Sequence, residues 1–141
     1  MRTPYTSPWG KIDHCQALCP GVYEVDTPRH GGIMAETEVA TAIFSQEALR
    51  CSFLENGYYC FEEDCDAQVA IRELLDQGLI EAPVNKYFAP GEYETIINKV
   101  IQRWHPEYWA ARQNKIAEKE DDSQQLYFFA PNQKERQGNS R

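Results

Sequence analysis

The chain has 141 residues and a formal net charge of −8 at pH 7, which predict one acidic domain with an ordinary core. Its aromatic content of 12% excludes a disordered chain, and the lack of an 18-residue apolar run predicts no transmembrane helix. No apolar segment follows Met1, so we expect no signal peptide, a cytoplasmic location and reduced cysteines.

The N-terminal part predicts a loop followed by a β-hairpin. Proline and glycine interrupt its first residues, where only the segment 11–19 could form a short helical turn. Alternation of apolar and polar residues over 22–25 and 33–35 predicts two antiparallel strands. Their connection is longer than a two-residue turn, so Arg29 and His30 are expected at an exposed tip.

The middle of the chain predicts helices around one strand. Residues 37–50 carry apolar side chains at helical spacing, which predicts one or two helices. Asn56-Gly57 predicts a tight turn, and a strand is expected over 58–61. The next helix is expected to begin with Asp64 or Asp66 as its cap.

The C-terminal part predicts two helices and a polar extension. Apolar spacing predicts helices over 92–104 and 106–118. Residues 119–141 are mostly polar, and their end is expected to be disordered. The apolar run Leu126-Tyr127-Phe128-Phe129 would be a liability in solvent, so we expect it to dock on the body as a strand or an anchor.

These elements predict an α+β fold. A small antiparallel sheet from residues 22–35 and 58–61 would be packed by three or four helices, in a single domain over residues 1–118.

Acidic side chains are concentrated in one segment. Residues 24–81 carry 13 acidic and three basic side chains. A segment of this sign repels nucleic acid and attracts basic surfaces. The same charges also suit a helix N-terminus or ordinary solubility, and both explanations stay open. The residues predicted to bind a partner are Trp9, Arg29, His30, Glu36, Glu38, Glu47, Glu55, Glu62, Glu63, Asp64 and Asp66.

Two arrangements could carry chemistry at the acidic run. Cys65 precedes a predicted helix, whose dipole would lower the thiol pKa, and His30 could act as its base. The neighbouring carboxylates act in the opposite direction and raise that pKa. Glu62, Glu63 and Asp64 could instead hold a metal with His30, although adjacent carboxylates usually face different directions. We therefore assign no catalytic residue and keep His30 and Cys65 as candidates.

Cysteine spacing gives a weak signal for zinc. The candidate ligands are His14, Cys15, Cys19, Cys60 and Cys65, but the cysteine spacings Cys-x3-Cys and Cys-x4-Cys lack the tight form of a structural zinc knuckle. We predict neither a bound metal nor a cofactor.

Three short motifs occur in order along the chain. They are Ser7-Pro8-Trp9-Gly10, Thr27-Pro28-Arg29-His30-Gly31-Gly32-Ile33 and Glu62-Glu63-Asp64-Cys65-Asp66. Together, over residues 4–82, they resemble a family of uncharacterised domains from phages and conjugative plasmids, often encoded beside antirestriction proteins. The resemblance implies mobile-element biology and counter-defence but no particular activity.

The charge and the resemblance together predict a small acidic counter-defence protein of the anti-CRISPR or antirestriction type. It would bind and block a basic, nucleic-acid-binding host complex, without direct nucleic-acid binding and without a membrane partner. One alternative is an enzyme that uses His30 and Cys65. Another is a homo-oligomeric adaptor, for example a homodimer, in which Leu126–Phe129 insert into a neighbouring subunit.

Overall fold

The computed structural model describes the backbone of residues 3–129 and the side chains of residues 3–122. The strands of this part are β1 (Thr6–Ser7), β2 (Gly10–Lys11), β3 (His14–Cys19), β4 (Val22–Asp26), β5 (Gly31–Glu36), β6 (Phe53–Glu55) and β7 (Tyr58–Glu62). The helices are α1 (Thr37–Ile43), α2 (Gln46–Leu49), α3 (Ala67–Asp76), α4 (Glu92–Trp104) and α5 (Pro106–Phe129). The α+β class is confirmed, and the described residues form five helices where three or four were expected.

A five-stranded antiparallel sheet in the order β3-β4-β5-β7-β6 forms the centre of the fold. The predicted hairpin and the predicted strand at 58–61 supply its three inner strands. Strand β6 is added at one edge through the turn at Asn56 and Gly57. Both turn residues have positive φ, +53° and +84°, which is the backbone that a two-residue type I′ hairpin requires.

The predicted helical turn over residues 11–19 is wrong, because His14–Cys19 form the edge strand β3. Its register pairs Cys15 with Val25 and Ala17 with Tyr23. The segment has no β-branched residue, so its strand conformation comes from pairing with β4 rather than from local propensity.

The two faces of the sheet are covered differently. One face carries the buried side chains of Tyr23, Val25, Met34 and Cys60, and Trp9 packs against them from the N-terminal segment. The other face contacts helices α1 and α3. There, the ring of Phe61 lies 5.3 Å from that of Phe44.

Helix α3 anchors the helical layer through a buried cation. Arg72 is 4% exposed. Its guanidinium donates to Asp76 Oδ1 at 3.1 Å, to Asn98 Oδ1 at 2.8 Å and to Glu94 Oε1 at 2.6 Å. Because Asn98 and Glu94 lie on α4, these hydrogen bonds fasten the two helices together.

The start of α3 differs from the predicted cap. Asp66 precedes the helix, but neither it nor Asp64 caps it, since the N-cap side chain makes no capping hydrogen bond. Its Oδ1 lies 2.7 Å from His105 Nε2 instead. A partner 39 residues away has therefore replaced the local one.

Contacts divide the chain into two units, residues 1–108 and 109–141. In the second unit the backbone stays helical to Phe129, so a strand over Leu126–Phe129 is wrong. The side chains of these four residues, and the tail expected to be disordered, lie outside the described part. No helix of the described residues is long and apolar enough to cross a membrane.

Candidate functional site

The three sequence motifs meet at one end of the central sheet. Strand β4 ends there, β5 begins there and β7 ends there, with Asp26 opposite Gly31 and Gly32 opposite Glu62. The Glu63 N–H donates to the Gly31 carbonyl oxygen at 3.0 Å and carries the pairing into the acidic run. We call this the His30 end, defined by Asp26, His30, Glu62, Glu63 and Asp64.

Thr27 shapes the loop that presents His30. Its hydroxyl oxygen accepts the N–H of Arg29 at 3.3 Å and that of His30 at 3.1 Å. The same hydroxyl lies 2.6 Å from the His30 carbonyl oxygen and 3.2 Å from that of Trp9. The first and second motifs are therefore joined through one side chain, and His30 is exposed at the tip as predicted.

The paired glycines leave room for neighbouring side chains. A Cβ built on Gly32 would lie 2.5 Å from Trp9 Cη2, and one built on Gly31 would lie 2.9 Å from Asp26 Oδ1 and 3.0 Å from Glu63 Oε1. Both glycines are required because another atom already occupies the position of a side chain. The indole and the acidic groups therefore approach the strand backbone closely.

His30, Glu63 and Asp64 form one group at the tip. One potential ligand atom from each lies within 4.8 Å of the others. His30 and Asp64 are exposed, and Glu63 is half-buried. An imidazole with two carboxylates suits a divalent transition metal or a basic side chain.

Glu62, Cys65 and Asp66 form a second group within the acidic run. The Cys65 thiol donates to Glu62 Oε1 at 3.8 Å. Burial and the carboxylates of Asp66 and Glu62 raise the pKa of Cys65 to about 11. A thiol with this pKa is protonated at neutral pH and is not an activated nucleophile.

The candidate nucleophile and base thus fall in different groups, since His30 lies with Glu63 and Asp64, whereas Cys65 lies with Glu62 and Asp66. The histidine that does meet the second group is His105, through Asp66. Sequence analysis missed this contact, and no local signal could have revealed it, because His105 follows the end of α4, far along the chain.

Alkylation of Cys65 tests its protonation state. With a pKa near 11 instead of 9.0, the thiolate fraction at pH 8 falls on the order of 100-fold, and iodoacetamide should react correspondingly slowly. Mass spectrometry of the modified peptide, with the urea-unfolded chain as reference, measures the ratio. Reaction as fast as in the unfolded chain would contradict this assignment and favour chemistry at Cys65.

The other candidate zinc ligands lie elsewhere. Cys15 and Cys19 lie on β3, Cys60 is buried on β7, and all three are free thiols. Burial raises the pKa of Cys60 to about 12. Among the described side chains, no group of three potential ligands includes any of these cysteines.

The remaining residues predicted for binding are divided in space. Glu36 ends β5, Glu55 ends β6 and Glu38 lies in the first turn of α1. They form the opposite end of the sheet, which we call the Glu36 end. Glu47 belongs to the first turn of α2. The fold therefore divides most of the acidic segment between the two ends of the central sheet.

Comparison with known proteins identifies the family. The model of a domain of unknown function, DUF7007, matches residues 2–132. The chain belongs to the DUF7007 family. The match extends well beyond the 4–82 of the motif resemblance, so the helices after Pro83 are part of the family domain. No curated protein and no solved structure matches this DUF7007 chain.

Proposed function

We propose that this DUF7007 chain is a small counter-defence protein that binds a basic, nucleic-acid-binding host complex in the cytoplasm and blocks it. CRISPR effectors and restriction enzymes are the target classes. The acidic His30 end would be the contact surface.

One observation carries the proposal. Among residues 3–122, none of the carboxylates of Asp26, Glu62, Glu63 and Asp64 forms an ion pair with a basic side chain. Like charges held together repel one another, and a partner that brings opposite charge relieves this repulsion.

Three other acidic residues have partners within the helical layer, in contrast to the carboxylates of the His30 end. Asp76 pairs with Arg72, Asp66 contacts His105, and Glu73 accepts hydrogen bonds from Ser45 and Tyr108. Asp76 pairs within α3, whereas Asp66 and Glu73 join α3 and its start to residues of other elements. Apart from the Cys65 thiol that Glu62 accepts, the carboxylates of the His30 end make no such links among the described residues, which supports a role in recognition.

The mechanism would be occlusion of a phosphate-binding surface. Arginine and lysine side chains that contact nucleic-acid phosphates also bind carboxylates, often through two parallel hydrogen bonds. The Thr27 hydroxyl accepts the His30 N–H and the Gly31 carbonyl oxygen accepts the Glu63 N–H, so the backbone that carries these two side chains is already ordered before binding. The mobile-element context of the motif resemblance supports the same reading.

A pull-down from a bacterial host lysate, read by mass spectrometry at low and high salt, provides the test. We expect a stoichiometric nucleic-acid-binding protein that is released at high salt. The double variant Glu63→Lys, Asp64→Lys should weaken its binding on the order of 100-fold, because two attractive contacts become repulsive.

The matched control reverses the same charge elsewhere. Glu120 and Asp121 are exposed on α5, outside the acidic segment, and Glu120→Lys, Asp121→Lys should leave binding nearly unchanged. Capture of no such partner at low salt, or equal losses in both double variants, would refute recognition through the His30 end.

A further inference from the structure

The Glu36 end contains a depression with an acidic lining. It has a volume of about 400 Å³ and is lined by Glu36, Thr37, Glu38, Asn56, Gly57 and Tyr58. The Thr37 N–H donates to the Gly57 carbonyl oxygen at 3.1 Å, so the β6–β7 turn and the start of α1 are held together as its walls.

A second cavity, of about 200 Å³, adjoins the depression. The N-terminal segment 3–8 forms one side, and Met34 and Glu55 are among the residues of the other. Asn56 and Tyr58 line both cavities. A long side chain that enters the depression would meet the ring of Tyr58.

One polar atom of this site has no partner. Glu36 Oε2 is buried from solvent and accepts no hydrogen bond from the described residues. A buried acceptor without a donor is destabilising, and native structures leave few of them. The last torsion of a glutamate is soft, so this carboxylate can turn to accept a donor that enters the depression.

The charge of the lining indicates what kind of donor fits. Three carboxylates, those of Glu36, Glu38 and Glu55, line the two cavities, and none of the described residues that line them is basic. The Tyr23 side chain nearby is buried, and its pKa is raised by that burial and by Glu36. A cation with several N–H groups would satisfy the orphaned oxygen and neutralise the lining.

We infer that the depression at the Glu36 end binds the guanidinium group of an arginine side chain presented by a protein partner. Guanidinium is planar, donates in a fork that matches a carboxylate and stacks on aromatic rings, as Tyr58 allows. The source of the arginine rests on the proposed function, because a basic nucleic-acid-binding surface supplies such side chains. The site itself rests on the cavity and the orphaned Glu36 oxygen.

The experiment is an NMR titration of the full chain with N-acetyl-arginine amide. The backbone amides of Asn56 and Gly57 should shift on addition, and the uncharged N-acetyl-citrulline amide should leave them unmoved. Glu36→Gln should weaken arginine binding about tenfold, because one charge-assisted hydrogen bond is lost.

Asp64→Asn is the matched control, since it removes one charge at the His30 end. The six residues of β5 span roughly 17 Å, which exceeds the Debye length of about 8 Å at physiological salt. We therefore expect this variant to bind arginine like the wild type. The titration is repeated with Arg2→Ala, to test whether the chain's own Arg2 competes with the added arginine for the depression.

Absent shifts, equal shifts with citrulline or equal losses in Glu36→Gln and Asp64→Asn would overturn the inference. Shifts that appear only in Arg2→Ala would assign the depression to the chain's own arginine and overturn the partner assignment. A captured partner without arginine shifts would leave the proposed function intact and remove this site. Shifts on addition of arginine, with no captured partner, would support this site and refute the proposed function.

Discussion

Replacement of Gly32 by valine should lower the free energy of unfolding by about 3 kcal/mol. A Cβ at this position would lie 2.5 Å from Trp9 Cη2 and closer still to the Phe61 carbonyl oxygen. The carbonyl belongs to the neighbouring strand β7 and cannot move without breaking the sheet pairing. The indole would have to leave the face of the sheet that it covers.

Urea unfolding of the two proteins measures this loss. Gln16→Val is the control, because Gln16 is exposed on the edge strand β3 and gains the same side chain. Its effect should stay within about 0.5 kcal/mol. A Gly32→Val loss below about 1 kcal/mol would show that the strand accommodates the side chain, contrary to the clash. Recovery in a double variant with Trp9→Ala would assign the clash to the ring alone.

Replacement of Arg72 by methionine should cost about 3 kcal/mol. The substitution keeps an apolar stem in a buried position but removes the hydrogen bonds to Asp76, Asn98 and Glu94. The Asp76 and Glu94 side chains are 34% and 42% exposed, so water can hydrate them once the arginine is gone. The loss should therefore stay at the lower end of the range for a broken buried pair.

Arg50 provides the comparison for this prediction, because it is the exposed arginine that follows α2 in the same acidic segment. Thermal unfolding should detect little change in Arg50→Met. Glu94→Gln should also be mild, since the amide oxygen can still accept from the guanidinium. Equal stability of Arg72→Met and Arg50→Met would contradict the claim that Arg72 stabilises the packing of α3 against α4.

The parts of the fold that sequence analysis predicted are those with strong local signals. The hairpin over 22–35 has alternating side chains around a glycine-rich connection, and Asn56-Gly57 is a turn that few other sequences make as well. Helices over 37–50 and 92–104 show regular apolar spacing. Each of these signals is contained within one element.

The failures depend on contacts between distant residues. His14–Cys19 are a strand because β4 offers an open edge, and Asp66 leaves the helix start uncapped because His105 reaches it. No spacing rule within either segment contains this information. The sequence around the apolar run after Ser123 did not indicate its conformation either, and its backbone is helical to Phe129.

The candidate site shows the same division. The sequence indicated that the acidic segment and His30 were unusual, but their grouping depends on strand register. Gly32 pairs with Glu62, and this register brings the next two residues, Glu63 and Asp64, beside His30. At the far end of the same strands, Glu36 pairs with Tyr58. Register is a property of the assembled sheet, so the separation into two acidic ends could not be predicted from the charge pattern.

The contacts of helix α3 bear on how such a gene can change by recombination. Its Asp66, Arg72 and Glu73 find their partners at Glu94, Asn98, His105 and Tyr108. Exchange of the segment after Pro83 would leave all three motifs in place but replace the residues that these side chains contact. We therefore expect selection against recombination crossovers within residues 66–108. The motifs and the helices that follow them should be inherited together.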